Sequence, residues 1–112
     1  MALNYADLMA EVSKARTEQS LPFVAKDGKT VLLRPLLLLG DDELKVIKAL
    51  LPTVQDKDGD AFKKLEAITT ILVAAADKKD SFKKSLADLP QQVHARIFNE
   101  WIDAVNAGEA SA

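Results

Sequence analysis

Cysteine is absent from the 112-residue sequence, and aromatic residues are scarce. Without a thiol the chain can form no disulfide, no thiolate metal site and no cysteine nucleophile. Four Phe, one Tyr and one Trp are too few to fill a core, although apolar residues make up 48% of the chain. We therefore expect one domain of modest size with a mostly aliphatic core of Leu, Val, Ile and Ala.

An excess of positive charge is also missing. The formal net charge is −2, whereas nucleic-acid binders need basic residues to neutralise phosphates. No apolar run approaches the roughly 20 residues that a membrane-spanning helix requires. The first residues, MALNYADLMAEVSKAR, include acids where a signal peptide has a basic start and an apolar centre. These features predict a cytosolic protein that binds neither nucleic acid nor membrane.

The first third of the sequence predicts a helix followed by a β-hairpin. Residues 4–17 have apolar side chains at helical spacing, with Asn4 as the N-cap. Two β-prone runs, Phe23 to Lys26 and Lys29 to Arg34, are separated by Asp27-Gly28, which is typical of a two-residue type I′ turn. An isolated hairpin is marginal in water, so we expect it to pack on helices or to pair with another chain.

Helical patterns fill the middle of the chain. The acidic residues at positions 41–43 are typical of a helix start, and Pro52 is expected to end that helix. After a polar loop, an apolar stripe from Phe62 to Ala76 predicts the longest helix. The three consecutive alanines at positions 74–76 narrow this helix for close packing.

Two further helices complete the predicted fold. Asp80 or Ser81 is expected to cap a short helix that ends at Leu86, and the last helix follows Pro90. The predicted fold class is α+β and mostly α, with an N-terminal helix, one two-stranded antiparallel hairpin and three to four packed helices. The predicted organisation is a helical arm at residues 1–20, a single globular domain at 21–106 and a flexible C-terminal tail at 107–112.

The segment DKDGDAFKKLEA, residues 56–67, resembles a calcium-binding loop at its start. Asp56, Asp58 and Asp60 occupy the first, third and fifth positions of such a loop. A calcium loop also needs glycine at the sixth position and a bidentate glutamate at the twelfth, but alanine occupies both positions here. We favour a solvated loop in which Asp58 or Asp60 caps the next helix, and we predict no metal and no other cofactor.

Residues typical of a catalytic site are not grouped in the sequence. His94 is the only histidine, and neither a nucleophile nor an orienting acid lies at a suitable spacing. We interpret it as a partly exposed surface residue. The four glycines are isolated, so a phosphate-binding loop is not predicted. The sequence therefore predicts a protein that is not an enzyme and has no catalytic residue.

Four consecutive leucines after Pro35 give the strongest indication of an interaction. All four cannot point inward from one exposed connection. They either fill the core between hairpin and helices, or form an apolar patch for a partner or for a second copy of the chain. Trp101 on the last helix has the same two interpretations. The candidate partner-binding residues are Leu36, Leu37, Leu38, Leu39, Phe98 and Trp101.

The order of these elements resembles a known protein family. A hairpin with an acidic-Gly turn leads into TVLLRPLLLLGDDELKVIKALL, and a helix containing NEWIDAV precedes a tail of small residues. Over residues 21–106 this layout resembles the tail assembly chaperones of long-tailed phages of actinobacterial hosts. The resemblance rests on the order of elements and not on a chemical motif.

The resemblance implies a function, partners and a location. Such chaperones are made in the cytoplasm of the infected bacterium, where they bind the tape-measure protein and keep it soluble during tail-tube assembly. They are not enzymes and are not expected in the mature virion. The resemblance also implies a homo-oligomer and a longer frameshift product that would depart near the tail AGEASA. The alternative is a small structural or adaptor subunit retained in a viral particle or another complex.

Overall fold

A computed structural model describes residues 2–106 and contains five α-helices and one hairpin in this range. The elements are α1 (Tyr5–Gln19), β1 (Leu21–Val24), β2 (Thr30–Leu33), α2 (Asp41–Gln55), α3 (Ala61–Ala75), α4 (Lys79–Ala87) and α5 (Gln91–Trp101). A 3₁₀ helix, Leu36–Leu38, precedes α2, and a π-helical segment, Ile102–Asn106, continues α5. We call the 3₁₀ helix the leucine turn. The predicted mostly α, α+β fold is confirmed.

The predicted domain boundaries stay predictions, and the predicted tail at residues 107–112 lies outside the described residues. Within 2–106, none of the helices is both long enough and apolar enough to cross a membrane. The N-terminal helix starts as predicted, because the side chain of Asn4 accepts a hydrogen bond from the Ala6 N–H at 2.8 Å.

The hairpin has a three-residue loop, so the predicted two-residue type I′ turn is wrong. The Ala25 N–H donates to the Lys29 carbonyl, and the Gly28 N–H donates to the Ala25 carbonyl. Gly28 has a φ of 86°, whereas no non-glycine residue among those described has a positive φ. A type I′ turn requires two such residues. Asp27 contributes through its side chain instead, since its Oδ1 accepts from the Lys29 N–H at 3.0 Å.

Replacing Gly28 with Ala is expected to destabilise the protein by about 1 kcal/mol, because a side chain disfavours this left-handed conformation. No atom lies within 4 Å of an added Cβ, so the effect comes from the backbone alone. Urea unfolding measures it. Gly28→Asn is the matched control and should destabilise less, since Asn tolerates positive φ. Equal losses for the two variants would refute this explanation.

The second edge of β2 is held by the chain that leaves α3. The Arg34 N–H donates to the Ala75 carbonyl, and the Asp77 N–H donates to the Leu32 carbonyl, both at 3.0 Å. The Leu32 N–H in turn donates to Asp77 Oδ1 at 2.8 Å. The hairpin is therefore fixed to the C-terminal end of α3, which meets the requirement that a lone hairpin be supported.

The core lies between the hairpin and the faces of α2 to α5. It is mainly aliphatic, as the composition predicts, with Phe23 and Phe82 in edge-to-face contact at 5.1 Å. The largest fully buried side chains are Trp101, Phe82, Leu33, Ile47, Ile71, Leu72, Val31 and Pro35.

Two predicted helix boundaries are wrong. Pro52 does not end α2, which continues to Gln55. Pro52 is exposed and lies in the last turn, so the missing N–H affects a hydrogen bond close to the helix end. The short helix starts at Lys79, and neither Asp80 nor Ser81 caps it. The Ser81 hydroxyl instead donates to the Asp27 carboxylate in the hairpin loop, at 2.9 Å.

α3 begins as predicted but its first aromatic residue is not in the core. Asp60 is the N-cap, and its Oδ1 accepts from the Phe62 N–H at 2.8 Å. Phe62 was expected on the buried stripe, yet it is 77% exposed. It lies in the first turn, ahead of the buried part of the helix, which starts at Ala67.

Candidate interaction surface

The six predicted partner-binding residues differ in exposure. Three of them belong to the core: Leu39, Phe98 and Trp101. Leu36 and Leu38 are half-buried, and Leu36 packs against the core. Leu37 is 77% exposed. Part of the leucine run therefore fills the core and part of it faces solvent. Partner binding by these six residues stays a prediction, for which Leu37 offers the most accessible side chain.

A larger exposed apolar surface lies on α1. Its residues are spaced so that they share one face of the helix, and we call them the α1 stripe: Tyr5, Leu8, Met9, Val12 and Ala15. No residue of α1 is buried. Tyr5 is 79% exposed, and Leu3, just before the helix, is 87% exposed. The helical spacing was visible in the sequence, but its exposure was not.

The C-terminal half of the α1 stripe is attached to the rest of the chain. Nε and Nη2 of Arg16 donate to the Leu38 carbonyl at 3.3 and 3.2 Å, and Val12 and Ala15 are half-buried. Ser20, which follows α1, is buried. The N-terminal half has no such attachment among the described contacts, and we call it the open half of the α1 stripe: Tyr5, Leu8 and Met9. It presents apolar side chains to solvent.

A buried arginine holds the leucine turn in place. Arg34 is 9% exposed, and its Nε donates to the Ala75 carbonyl at 3.0 Å. Its Nη2 donates to the Ala76 carbonyl at 3.1 Å and to Glu43 Oε2 at 2.6 Å. Since Arg34 and Glu43 flank the leucine turn in the sequence, their ion pair closes the loop that contains it. The Leu38 carbonyl, to which Arg16 attaches α1, is thus held at the end of α3, and we call it the anchor of α1.

Lys79 adds a second positive charge at the same helix end. Its Nζ donates to the Ala74 and Ala76 carbonyls at 3.1 and 2.8 Å, and to Glu43 Oε2 at 2.6 Å. The last carbonyls of a helix have no partner within the helix, and cations are favourable there because of the helix dipole. Lys79 and Arg34 supply hydrogen-bond donors and positive charge to these carbonyls, and Glu43 balances part of that charge.

The same contacts lower the pKa of Glu43. Burial raises the pKa of this carboxyl, but hydrogen bonds from Lys79, from Arg34 and from the Gly40 N–H together outweigh it, so the pKa lies below its usual 4.5. A group with a lowered folded-state pKa stabilises the fold above its unfolded-state pKa. That contribution is lost as the pH falls through the folded-state pKa.

Replacing Glu43 with Gln is expected to destabilise the protein by about 1–2 kcal/mol at neutral pH, because Arg34 loses its charged partner. The variant should also lose less stability than wild type as the pH falls below 4.5. Thermal unfolding between pH 7 and pH 3 measures both effects. Asp42→Asn, an exposed acid in the same first turn, is the control and should change stability by only a few tenths of a kcal/mol. An unchanged acid dependence in Glu43→Gln would contradict the assignment.

His94 is buried, so the predicted surface position is wrong. It is 4% exposed, and its Nε2 lies 2.8 Å from the Leu86 carbonyl oxygen. Its Nδ1 lies 2.7 Å from Thr69 Oγ1. Because a carbonyl only accepts, Nε2 carries a hydrogen and donates it. The ring therefore joins α5 to α3 and α4. Its spacing from Phe98 and Trp101 places it on the buried face, a signal the sequence did contain.

The aspartates of the calcium-like segment have local structural roles. Asp56 Oδ1 accepts from the Asp58 N–H at 3.1 Å, and Asp60 caps α3 as predicted. Within the described part of the chain, no three His, Asp or Glu side chains are grouped so that they could hold a metal ion.

A groove of 440 Å³ runs beside β1, whose outer edge is unpaired within residues 2–106. The backbone there offers few donors to an added strand. Pro22 has no N–H, and the Lys26 N–H already donates to Ser85 Oγ at 2.8 Å. The Lys26 ammonium also pairs with Asp88. This edge is therefore poorly suited to pairing with another strand, and the open half of the α1 stripe is the stronger candidate surface.

Compared with protein-family models, with curated proteins and with solved structures, the chain matches none. Support for a function therefore comes from the geometry of the α1 surface, together with the layout of the sequence.

Proposed function

We propose that the protein is a tail assembly chaperone, a non-enzymatic protein that binds the tape-measure protein of a long-tailed phage. It keeps this client soluble in the cytoplasm of the infected bacterium and leaves before the virion is complete. The resemblance to that family further implies that this chain is the shorter of two frameshift products. The observation that carries the proposal is the open half of the α1 stripe, which presents apolar side chains on a helix that buries no residue of its own.

A holding chaperone must both bind its client and later release it. Contiguous exposed apolar surface is a feature of protein-binding sites, and an amphipathic helix can bind a partner through its apolar face. The open half of the α1 stripe is small, so each contact is weak and reversible. Leu37, which precedes the residue that accepts the hydrogen bonds of Arg16, is also exposed. A holding protein needs these properties, because its client must later be handed to the tail tube.

The resemblance of residues 21–106 to tail assembly chaperones supports the same proposal. The segment that carries it includes Arg34 and Glu43, whose ion pair closes the loop of the leucine turn. Arg34 and Glu43 therefore belong both to the segment that carries the resemblance and to the contacts that position the anchor of α1.

The proposal predicts that a tape-measure protein is encoded beside this chain, and co-expression of the two proteins tests it. We expect the tape-measure protein to be insoluble when expressed alone, and to be soluble and to co-purify with the chaperone when both are expressed. A client that stays insoluble, with no complex formed, would overturn the proposal. Mass spectrometry of purified virions tests the alternative: stoichiometric amounts of the chain there would identify a retained structural or adaptor subunit.

A further inference from the structure

The α1 stripe has the spacing of one half of a coiled coil. Tyr5, Leu8, Val12 and Ala15 follow one another at intervals of three, four and three residues, the pattern of the apolar positions in a heptad repeat. The next position of the pattern is Gln19, a polar residue at the end of the helix. The four apolar residues therefore form a seam of two heptads, and the half of this seam nearest the N-terminus is exposed.

The two borders of this seam differ in charge. Glu11 and Glu18 each follow an apolar seam residue by three positions, so they lie on one border, and both are exposed. The other border contains Met9 and Arg16. Arg16 is occupied by its hydrogen bonds to the Leu38 carbonyl. Arg16 keeps its positive charge but lies beside the attached half, so the charged border residue next to the open half of the α1 stripe is Glu11.

A second copy of α1 fits this surface poorly. Antiparallel pairing would bring the border with Glu11 and Glu18 against the same acidic border of the other copy, and like charges there are unfavourable. Parallel pairing would bring Glu11 opposite Arg16, which is already engaged within its own chain. The seam instead suits a helix that carries the complementary charge.

We propose that the open half of the α1 stripe docks an amphipathic helix of another protein, whose apolar seam is bordered by Lys or Arg. The identification of this helix with a segment of the tape-measure protein rests on the proposed function, whereas the docking itself does not. Leu8 is the central apolar contact, and Glu11 selects the basic border.

Fluorescence anisotropy with synthetic helices tests this docking on the full-length protein. One labelled 21-residue amphipathic peptide has Leu along its seam and Lys at the borders, and a second has Glu at the borders. We expect the Lys-bordered peptide to bind about tenfold more tightly at low salt, a difference of about 1.4 kcal/mol. High salt should reduce the preference, because exposed charges are screened. Equal binding of the two peptides would overturn the proposal.

Three variants locate the site. Leu8→Glu should abolish binding of the Lys-bordered peptide, and Glu11→Lys should reverse the preference between the two peptides. Phe62→Ser removes an aromatic side chain of α3 that is more exposed than Leu8, and it should leave binding unchanged. Circular dichroism and the melting temperature check that each variant is folded. Wild-type binding by Leu8→Glu, or an equal loss in Phe62→Ser, would refute docking at α1.

The two proposals fail in distinguishable ways. If the Lys-bordered peptide binds as expected but the tape-measure protein stays insoluble on co-expression, the proposed function is wrong and the docking surface stands. If wild type and Leu8→Glu solubilise the tape-measure protein equally, the chaperone function stands and α1 is not the docking element.

Discussion

Replacing Trp101 with Ala is expected to lower the free energy of unfolding by about 3–5 kcal/mol. Trp101 is fully buried and packs against Phe98 with ring centroids 5.9 Å apart. Its Nε1 also donates to the Arg34 carbonyl at 3.0 Å. The substitution removes the largest side chain of the core and leaves a buried carbonyl without this donor. The loss is a large fraction of the 5–15 kcal/mol that stabilises a typical domain.

Urea unfolding followed by circular dichroism measures this loss without relying on tryptophan fluorescence. Trp101→Phe separates the two contributions, because it retains an aromatic ring but removes the N–H donor. We expect it to destabilise by about 1–2 kcal/mol, mainly through the unpaired carbonyl of Arg34. A loss below about 1 kcal/mol for Trp101→Ala would mean that this residue is not packed as described.

Replacing Arg34 with Met is expected to destabilise the protein by about 2–4 kcal/mol. The methionine side chain retains much of the apolar stem but donates to none of the carbonyls at the end of α3, which the Arg34 guanidinium contacts at 3.0 to 3.5 Å. It also leaves Glu43 with Lys79 as its remaining cationic partner. Because Lys79 still contacts two of these carbonyls, the helix end is not wholly without donors, which limits the loss.

Arg34→Lys is the matched control, since it keeps the charge but lacks the planar fork that contacts carbonyls and carboxylate together. We expect its loss to lie between that of Arg34→Met and zero. The double variant Arg34→Met with Glu43→Gln should lose less unfolding free energy than the sum of the two single variants, because both substitutions remove the same interaction. Additive losses, measured by urea unfolding, would show that Arg34 and Glu43 act independently.

Much of the fold follows from local signals in the sequence. The caps Asn4 and Asp60 and the apolar periodicity of the helices depend on residues only a few positions apart, and the structure confirms them. The features that were missed depend on distant partners. Ser81 does not cap α4, because its hydroxyl is bonded to Asp27, 54 residues away. His94 is buried because Thr69 and Leu86 satisfy both of its ring nitrogens.

For the candidate surface too, the features that depend on neighbouring residues could be predicted, whereas those that depend on distant residues could not. The spacing of Tyr5, Leu8 and Val12 identifies one face of a helix from the sequence alone. Which half of that face is covered depends on the hydrogen bond from Arg16 to Leu38, 22 residues away. The leucine run could not be assigned for a similar reason, since the neighbouring Arg34 is held by carbonyls 41 and 42 residues away at the end of α3.

Light scattering of the tape-measure protein, diluted from urea into buffer with or without the wild-type chain, tests the central claim most directly. That claim is that the open half of the α1 stripe holds a hydrophobic client in solution. We predict that wild type and Phe62→Ser suppress the scattering at equimolar concentration and that Leu8→Glu does not. Suppression by Leu8→Glu equal to that by wild type would contradict the claim for α1, and scattering that rises equally with and without the wild-type chain would contradict the chaperone function.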